Sequence, residues 1–188
     1  IQASLVGSEM CIRDRIICVR ECVDIIYYAK RFSLCELSNM GKEIDYKWKK
    51  FDELSLDDLY AILNLRQKVF IVEQDCPYID ADYTDQDAFH LLGYKGDNLI
   101  GYLRAFKPGI KYEGASMGRI VTEISSRRLG LGKEITQMGV NFLVKEYPNH
   151  EIVISAQHRL EHFYINLGFI PRGEVYLEDN IDHIQMYL

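Results

Sequence analysis

The stretch "SSRRLGLGKEI" at positions 125–135 places basic residues and two glycines where a strand-like run gives way to a helix-like one. The start of a helix leaves backbone N–H groups unpaired and carries partial positive charge, so it attracts phosphate. Gly130 and Gly132 have no side chains and would let a ligand approach the backbone. The basic residues that would add charge-assisted hydrogen bonds are Arg127, Arg128 and Lys133. The pattern is compatible with a phosphate site and also with an ordinary turn whose arginines are solvated.

Two common phosphate-binding motifs do not match this turn. A Walker loop has the pattern Gly-x-x-x-x-Gly-Lys-[Ser/Thr]. Here Glu134 follows Gly132-Lys133, and position 127, where the first glycine would stand, is Arg. A Rossmann fingerprint requires a third glycine at position 135, where Ile stands. The pattern that remains is Arg127-x-x-Gly130-x-Gly132.

The elements before the turn begin with a short strand, "YKWKKF", and an amphipathic helix over 54–70. Ser55 and Asp58 form a capping box for that helix. Its apolar face is formed by Leu56, Leu59, Tyr60 and Leu63. The stretch 73–87 contains five aspartates and no period, which predicts a loop. A hairpin with its turn at 96–98 and a third strand, "SMGRIVTEI", then lead to the glycine-rich segment.

The elements after the turn alternate between helices and strands. Leu131, Ile135, Met138 and Phe142 repeat at helical spacing, and Pro148 ends that helix. "EIVISA" is typical of a strand buried on both faces. "RLEHFYINLGF" predicts a short helix, and two strands around a turn at 179–180 complete the order β-α-loop-β-β-β-α-β-α-β-β. We therefore expect a single α+β domain with a mixed sheet.

Several of these segments together resemble the GNAT acetyltransferases. The turn matches their [Gln/Arg]-x-x-Gly-x-[Gly/Ala] signature, "GRIVT" resembles their fourth strand, and "FYINLGF" at 163–169 resembles their second signature. Within that superfamily, "LRQKVFIVEQDCPYIDADYTD" and "EVYLEDNIDHI" are similar to segments of the ElaA-like branch. The resemblance covers positions 46–188. It implies the GNAT fold, a mixed and mostly antiparallel sheet of six or seven strands, flanked by helices and splayed at the fourth and fifth strands.

The resemblance also implies a donor site for acetyl-CoA. In that superfamily the glycine-containing loop wraps the pyrophosphate, and the fourth strand lies along the pantetheine arm. The residues expected to contact this co-substrate are Ile120, Val121, Thr122, Arg127, Arg128, Leu129, Gly130, Leu131, Gly132, Lys133 and Gln157. No metal is expected.

The candidate catalytic residues are a tyrosine and two glutamates. Tyr164 lies in "FYINLGF", and a phenol stays protonated at neutral pH, so it can donate a proton to a thiolate leaving group. Glu73 and Glu123 are alternative general bases, and ordered water is a third. The expected acceptor contacts are Gln74, Tyr78, His90 and His183, although a place in the core is the more common role for a histidine on a strand.

The expected reaction is transfer of an acetyl group from acetyl-CoA to a primary amine, by direct attack in a ternary complex. A protein amine, a polyamine-like metabolite and an amino sugar remain alternatives for the acceptor. The aspartates of 73–87 would give the acceptor side a negative field that suits a cationic amine, or they are merely solvated.

Two other classes of protein are alternatives. One is a catalytically silent GNAT-like module that binds acyl-CoA without turnover. The other is a zinc hydrolase, because "HRLEH" at 158–162 matches His-x-x-Glu-His. Only 26 residues follow His162, and they have strand patterns, so the third ligand that such enzymes take from a distant helix has no candidate.

The bulk composition narrows the remaining classes. The chain has 188 residues, 48% of them apolar, and a formal charge of −6. This length supports one domain with a sizeable core. The acidic balance argues against nucleic acid as a partner, and no run of apolar residues is long enough to span a membrane. We expect a cytoplasmic protein that is a monomer or homodimer.

The first 39 residues are excluded from the fold prediction. They hold four of the five cysteines and have no sustained period, and residues 4–15, "SLVGSEMCIRDR", resemble a translated sequencing adapter. We expect residues 1–39 to be a non-native or disordered extension and 40–188 to be the acetyltransferase domain, with Met40 as the probable start. A genuine extension with a short helix is the alternative.

Overall fold

The computed structural model describes residues 43–188. The prediction for residues 1–39 therefore lies outside the described part of the chain. The helices are α1 (Leu56–Arg66), α2 (Leu131–Glu146) and α3 (Glu161–Ile165). The strands are β1 (Asp45–Lys50), β2 (Phe89–Lys95), β3 (Asn98–Phe106), β4 (Ala115–Thr122), β5 (Ile152–Gln157), β6 (Ile170–Glu178) and β7 (Ile181–Tyr187). None of the helices within 43–188 is long and apolar enough to cross a membrane.

The seven strands form one sheet in the order β1-β2-β3-β4-β5-β7-β6. Neighbouring strands are antiparallel except β4 and β5, which are parallel. This arrangement confirms the predicted mixed, mostly antiparallel sheet flanked by helices.

The parallel pair β4 and β5 separates soon after it begins. Ala115 is in register with Ile152 and Ser116 with Val153, whereas β4 continues to Thr122 and β5 to Gln157. Beyond these two pairs the facing edges of the two strands have no partner strand among the described residues. The predicted splay is confirmed, and it leaves backbone N–H and C=O groups available to a ligand.

The two faces of the sheet bury separate apolar clusters. Leu91 and Leu103 pack with α2 and α3 on one face. Leu92 and Tyr102 pack with α1 on the other face, as the alternation of side chains along a strand requires. Gly139 lets α2 lie close to the sheet, because a Cβ atom there would stand 2.8 Å from Leu103.

Helix α1 buries a different side from the one that its apolar pattern predicts. The capping box is confirmed: the Asp58 N–H donates to Ser55 Oγ at 3.0 Å, and the Ser55 N–H donates to the Asp58 carboxylate at 3.0 Å. However, Leu56 is 86% exposed and Tyr60 is 75% exposed. The residues of α1 that are buried are Asp58, Ile62, Leu65 and Arg66. The pattern was misleading because the helix buries charged side chains that are neutralised by partners elsewhere in the chain.

Candidate active site

A cavity of about 380 Å³ occupies the gap between β4 and β5. Its walls come from β4, β5, α3, the start of α2, the β6–β7 hairpin and a π-helical segment, Gln67–Glu73, that continues α1. The sequence-predicted residues that line it are Glu73, Gln74, Tyr78, Ile120, Val121, Thr122, Arg127, Gly132, Gln157, Tyr164 and His183. Candidate donor, acceptor and catalytic residues from distant parts of the sequence are thus brought together.

Other predicted site residues lie outside the cavity wall. His90 is 1% exposed, with Nδ1 2.7 Å from the Tyr102 hydroxyl and Nε2 3.0 Å from the Asp85 carbonyl oxygen. The Glu123 carboxylate accepts a hydrogen bond from Ser125 Oγ at 2.8 Å. The members of the glycine-rich turn that do not line the cavity are Arg128, Leu129, Gly130, Leu131 and Lys133. His90 therefore has both ring nitrogens satisfied inside the protein, as the core interpretation expects.

The glycine-rich turn ends in an open helix start. Gly130 is the N-cap of α2 and has a φ of 84°, a conformation that glycine adopts without strain. No side chain caps the helix there. A Cβ atom added at Gly130 or Gly132 would meet nothing within 4 Å among the described residues. The first N–H groups of α2 therefore face space that an anion could occupy.

Arg127 and Glu73 join the turn to the π-helical segment. Arg127 donates from Nη1 and Nη2 to the two carboxylate oxygens of Glu73, at 2.6 and 2.7 Å, and also to the Thr122 carbonyl oxygen at 3.3 Å. The hydrogen bonds from Arg127 hold the pKa of Glu73 below its usual value. Glu73 is thus ionised at neutral pH, and it is a weaker base than a free glutamate.

Tyr164 lines the cavity from α3. The residue is 7% exposed, and its hydroxyl makes no hydrogen bond with the described residues. Burial raises its pKa to about 12. The phenol therefore stays protonated and available to a bound ligand at neutral pH.

Gln157 and Gln74 connect the two sides of the cavity. The Gln157 side-chain amide donates to Gln74 Oε1 at 2.9 Å, and Arg159 Nε donates to Gln157 Oε1 at 2.9 Å. The two residues were predicted to contact different substrates. The structure places them in direct contact at the boundary between the donor and acceptor sides.

Three of the five aspartates in the acidic loop are paired with arginines. Asp80 accepts hydrogen bonds from Arg66 and Arg119, both at 2.7 Å. Asp85 accepts from Arg66 at 2.9 Å, and the same carboxylate also binds Arg104. A further pair joins Asp82 to Arg104 at 2.6 Å. The prediction of a negative field is wrong for these three aspartates, because arginines from α1, β3 and β4 compensate their charge. Asp75 and Asp87 are exposed and form no ion pair with the described residues.

A bulge in β4 directs Arg119 into this network. Tyr102 is opposite Val121, whereas Arg104 is opposite Gly118, so β4 contains one extra residue at this point. Arg119 has a φ of 51°, and its guanidinium lies 5.5 Å from the ring of Tyr78. The strained backbone thus positions a cavity-lining arginine against Asp80.

The sequence analysis missed a polar group on β5 and β6. Ser155 Oγ lies 2.7 Å from the Tyr176 hydroxyl and donates to Glu178 Oε2 at 2.7 Å. His183 stacks on Tyr176, with ring centroids 6.3 Å apart, and its Nδ1 lies 2.8 Å from the Ile181 carbonyl oxygen. Ser155, Glu178 and His183 all line the cavity. The available signal was the polar residues at the end of "EIVISAQ" and the alternation in "GEVYLED". The prediction that this strand is buried on both faces is wrong at its end, because Ser155 and Gln157 are only partly buried and line the cavity.

The "HRLEH" segment contributes a turn and the start of α3. His158 Nε2 lies 3.2 Å from Glu161 Oε2. Within residues 43–188, no group of three or more His, Cys, Asp or Glu side chains is arranged to hold a metal ion.

The comparisons with known proteins agree with this fold and cavity. Residues 66–188 match the family described as acetyltransferase (GNAT) domain. The chain therefore belongs to the GNAT acetyltransferase family, whose members take an acyl-CoA as donor.

Curated relatives and solved structures place the chain beside ElaA. It is 38% identical to protein ElaA of Escherichia coli, over 76% of this chain and 95% of that protein. It is 39% identical to a UPF0039 protein of Synechocystis, over 77% of this chain and 94% of the relative. An acyl-CoA N-acyltransferase from Pseudomonas aeruginosa superposes with a TM-score of 0.73 at 36% identity, covering 77% of this chain and 99% of that one. The crystal structure of Escherichia coli ElaA gives 0.72 at 37% identity, with the same coverage.

Proposed function

We propose that the protein is a cytoplasmic N-acetyltransferase that moves an acetyl group from acetyl-CoA to a primary amine within a ternary complex. The observation that carries the proposal is the cavity in which the splayed edges of β4 and β5 meet the uncapped start of α2. Such a site offers unpaired backbone groups to an amide-containing arm and a positive helix end to a diphosphate.

The donor is proposed to lie along β4 with its diphosphate at the start of α2. The N–H groups of Gly130 to Lys133 would donate to the phosphates, and Arg128, which is exposed, would add charge. Arg127 would reach the diphosphate by giving up part of its pairing with Glu73. The Ile120–Thr122 edge and Gln157 would bind the pantetheine amides.

The chemical step needs a neutral amine and a protonated leaving group. The amine nitrogen attacks the thioester carbonyl carbon, a C–N bond forms and the C–S bond breaks. Tyr164 is the proposed donor of the proton that the departing sulfur takes up. This role is supported by its buried hydroxyl, which has no hydrogen-bond partner among the described residues. Glu73 is the proposed acceptor of the amine proton, directly or through water, because it lines the cavity and Glu123 does not.

An acetyl-CoA turnover screen over a library of amines tests this proposal. The full chain is assayed for release of the CoA thiol, with and without each amine, and acetylated product is identified by mass spectrometry. We expect at least one primary amine to accelerate thiol release and to gain one acetyl group. Binding of CoA without acceleration by any amine would favour the silent acyl-CoA-binding module instead.

A further inference from the structure

The wall of the cavity formed by β5 and β6 is polar, although the opposite face of β5 packs in the hydrophobic core. Ile154 and Ala156 of β5 pack in the cluster beneath α2 and α3. Ser155, between them, must point to the opposite face, where it meets Glu178 and Tyr176 of β6. The wall therefore holds a carboxylate whose position is fixed by a serine hydroxyl.

Some of the charged side chains that line the cavity have a partner of opposite charge, and those on this wall do not. Arg119 is paired with Asp80, and Arg127 with Glu73. Glu178 and Asp179 line the same cavity and form no ion pair with the described residues; the Glu178 carboxylate accepts a hydrogen bond from Ser155 Oγ. Arg159 also lines the cavity, and its Nε donates to Gln157 Oε1. Two carboxylates of the β6–β7 hairpin thus remain without a cationic partner beside the cavity, although Asp80, Asp82 and Asp85 of the loop are paired.

A second observation links this wall to the reacting end of the cavity. Tyr164 is 7% exposed, lines the same cavity and has no hydrogen-bond partner among the residues that the structure describes. The proposed proton donor and the Glu178 carboxylate therefore open on one continuous space. A single small acceptor could present one amine toward Tyr164 and a second group toward Glu178.

A neighbouring pocket adjoins the cavity at the β6–β7 turn. It has a volume of about 460 Å³ and shares Gln74, Cys76, Asp179 and Ile181 with the first cavity. It lies between the loop after the π-helical segment and the β6–β7 turn. None of its lining residues belongs to the glycine-rich turn, so an acceptor entering from this side would not cross the donor turn.

We propose that the acceptor is a small diamine whose second ammonium group binds Glu178, with Ser155 holding the carboxylate in place. Glu178 is then a specificity-determining residue of the reaction. This inference rests on the proposed N-acetyltransferase function. It adds the substrate class, which neither the fold nor the family defines.

Three acceptors of equal length but different terminal charge test the inference. They are 1,4-diaminobutane, 4-amino-1-butanol and 4-aminobutanoate, which end in a positive, a neutral and a negative group. For the wild-type chain we expect kcat/KM for the diamine to exceed that for the amino alcohol by about tenfold or more, the size of a good charged contact. The carboxylate compound should be the poorest acceptor.

Two glutamine variants separate the role of Glu178 from a general effect of charge. In Glu178→Gln the preference for the diamine over the amino alcohol should be lost. Glu174→Gln removes the same charge from the same strand, at an exposed position outside the cavity, and should keep the preference. Equal rates for the diamine and the amino alcohol in the wild-type chain, or a preference that survives Glu178→Gln, would overturn the inference. So would a preference for 4-aminobutanoate, which would point to Arg119 instead.

Calorimetry with the same three compounds keeps the inference testable without turnover. Each is titrated into the protein saturated with CoA. If the three acceptors are acetylated at rates that do not depend on their terminal charge, the proposal of a diamine acceptor is refuted and the proposed function stands. Tight binding of the diamine through Glu178 without transfer to any amine refutes the proposed function alone. Failure of the diamine to bind refutes the inference.

Discussion

Arg127 and Glu73, 54 residues apart, form a bidentate ion pair across one end of the cavity, with N–O distances of 2.6 and 2.7 Å. The pair joins the turn before α2 to the π-helical segment that continues α1. One partner belongs to the proposed donor site and the other is the proposed base. Binding of a diphosphate by Arg127 would therefore release the carboxylate that the reaction needs.

Replacement of Glu73 by Gln should separate donor binding from catalysis. The variant frees Arg127, so the affinity for CoA should be equal to or higher than that of the wild-type chain. Acetyl transfer should fall by about 10²-fold or more, the usual contribution of a general base. Calorimetry and the thiol-release assay measure the two effects. Glu123→Gln is the matched control and should retain activity; equal losses in both variants would contradict the assignment of Glu73.

Replacement of Tyr164 by Phe should slow transfer without weakening donor binding. The loss of the proton donor should lower kcat by about 10²-fold. Because burial raises the pKa of Tyr164 to about 12, deprotonation of this residue should cause no loss of activity at mildly alkaline pH. Steady-state rates from pH 6 to pH 10 check both statements. Tyr147→Phe, at the end of α2 and outside the cavity, is the control. An unchanged kcat in Tyr164→Phe would remove Tyr164 from the mechanism.

The buried ion pairs of the acidic loop should contribute mainly to the stability of the fold. Asp80 is 7% exposed and binds Arg66, Arg119 and the Tyr78 hydroxyl. Asp80→Asn should lower the free energy of unfolding by about 3–5 kcal/mol, the cost of leaving a buried partner charge uncompensated. Asp87→Asn, an exposed position near the end of the loop, should change it by less than about 0.5 kcal/mol. Urea unfolding of the two variants measures the difference, and equal stability would contradict the structural role of the network.

The same network predicts loss of stability in acid. Burial would by itself raise the pKa of Asp80 and of Asp82, but the ion pairs with Arg66 and with Arg104 outweigh it and lower both values. A carboxyl whose folded pKa is depressed stabilises the fold above its unfolded pKa of about 4 and loses this contribution as the pH falls below it. The melting temperature should therefore drop steeply below about pH 4. Asp82→Asn should show a shallower drop; an identical pH profile would contradict this source of stability.

The elements of the fold were predictable where the local pattern agrees with the tertiary structure. The helix from Leu131, the strand "EIVISA" and the turn at 179–180 were all predicted and are all present. Helix α1 was predicted at the right place but with the wrong buried side. Periodicity counts Arg66 as a surface residue, and it becomes a core residue only because Asp80 and Asp85 reach it from a distant loop.

The candidate site was only partly predictable for a similar reason. Motifs predicted Arg127, Gly132 and Tyr164, which line the cavity, since the spacing of these residues within short segments carries the signal. The partnership of Gln74 with Gln157 and that of Ser155 with Glu178 join residues far apart in the chain. No local sequence pattern predicts the bulge that positions Arg119, because the positive φ of this arginine follows from strand pairing.

The most direct measurement is calorimetric titration of CoA into the wild-type chain and into Gly132→Asp. Gly132 is the second residue of α2, and nothing lies within 4 Å of an added Cβ atom, so aspartate should be tolerated there and even suit the helix start. Its charge would occupy the proposed diphosphate position. Gln137→Asp adds the same charge to an exposed part of the same helix and is the control. We predict that the wild-type chain and the control bind one CoA, and that Gly132→Asp binds at least about tenfold more weakly, a difference of about 1.4 kcal/mol. Equal affinity in all three chains, or no binding by the wild-type chain, would contradict the diphosphate site at the start of α2.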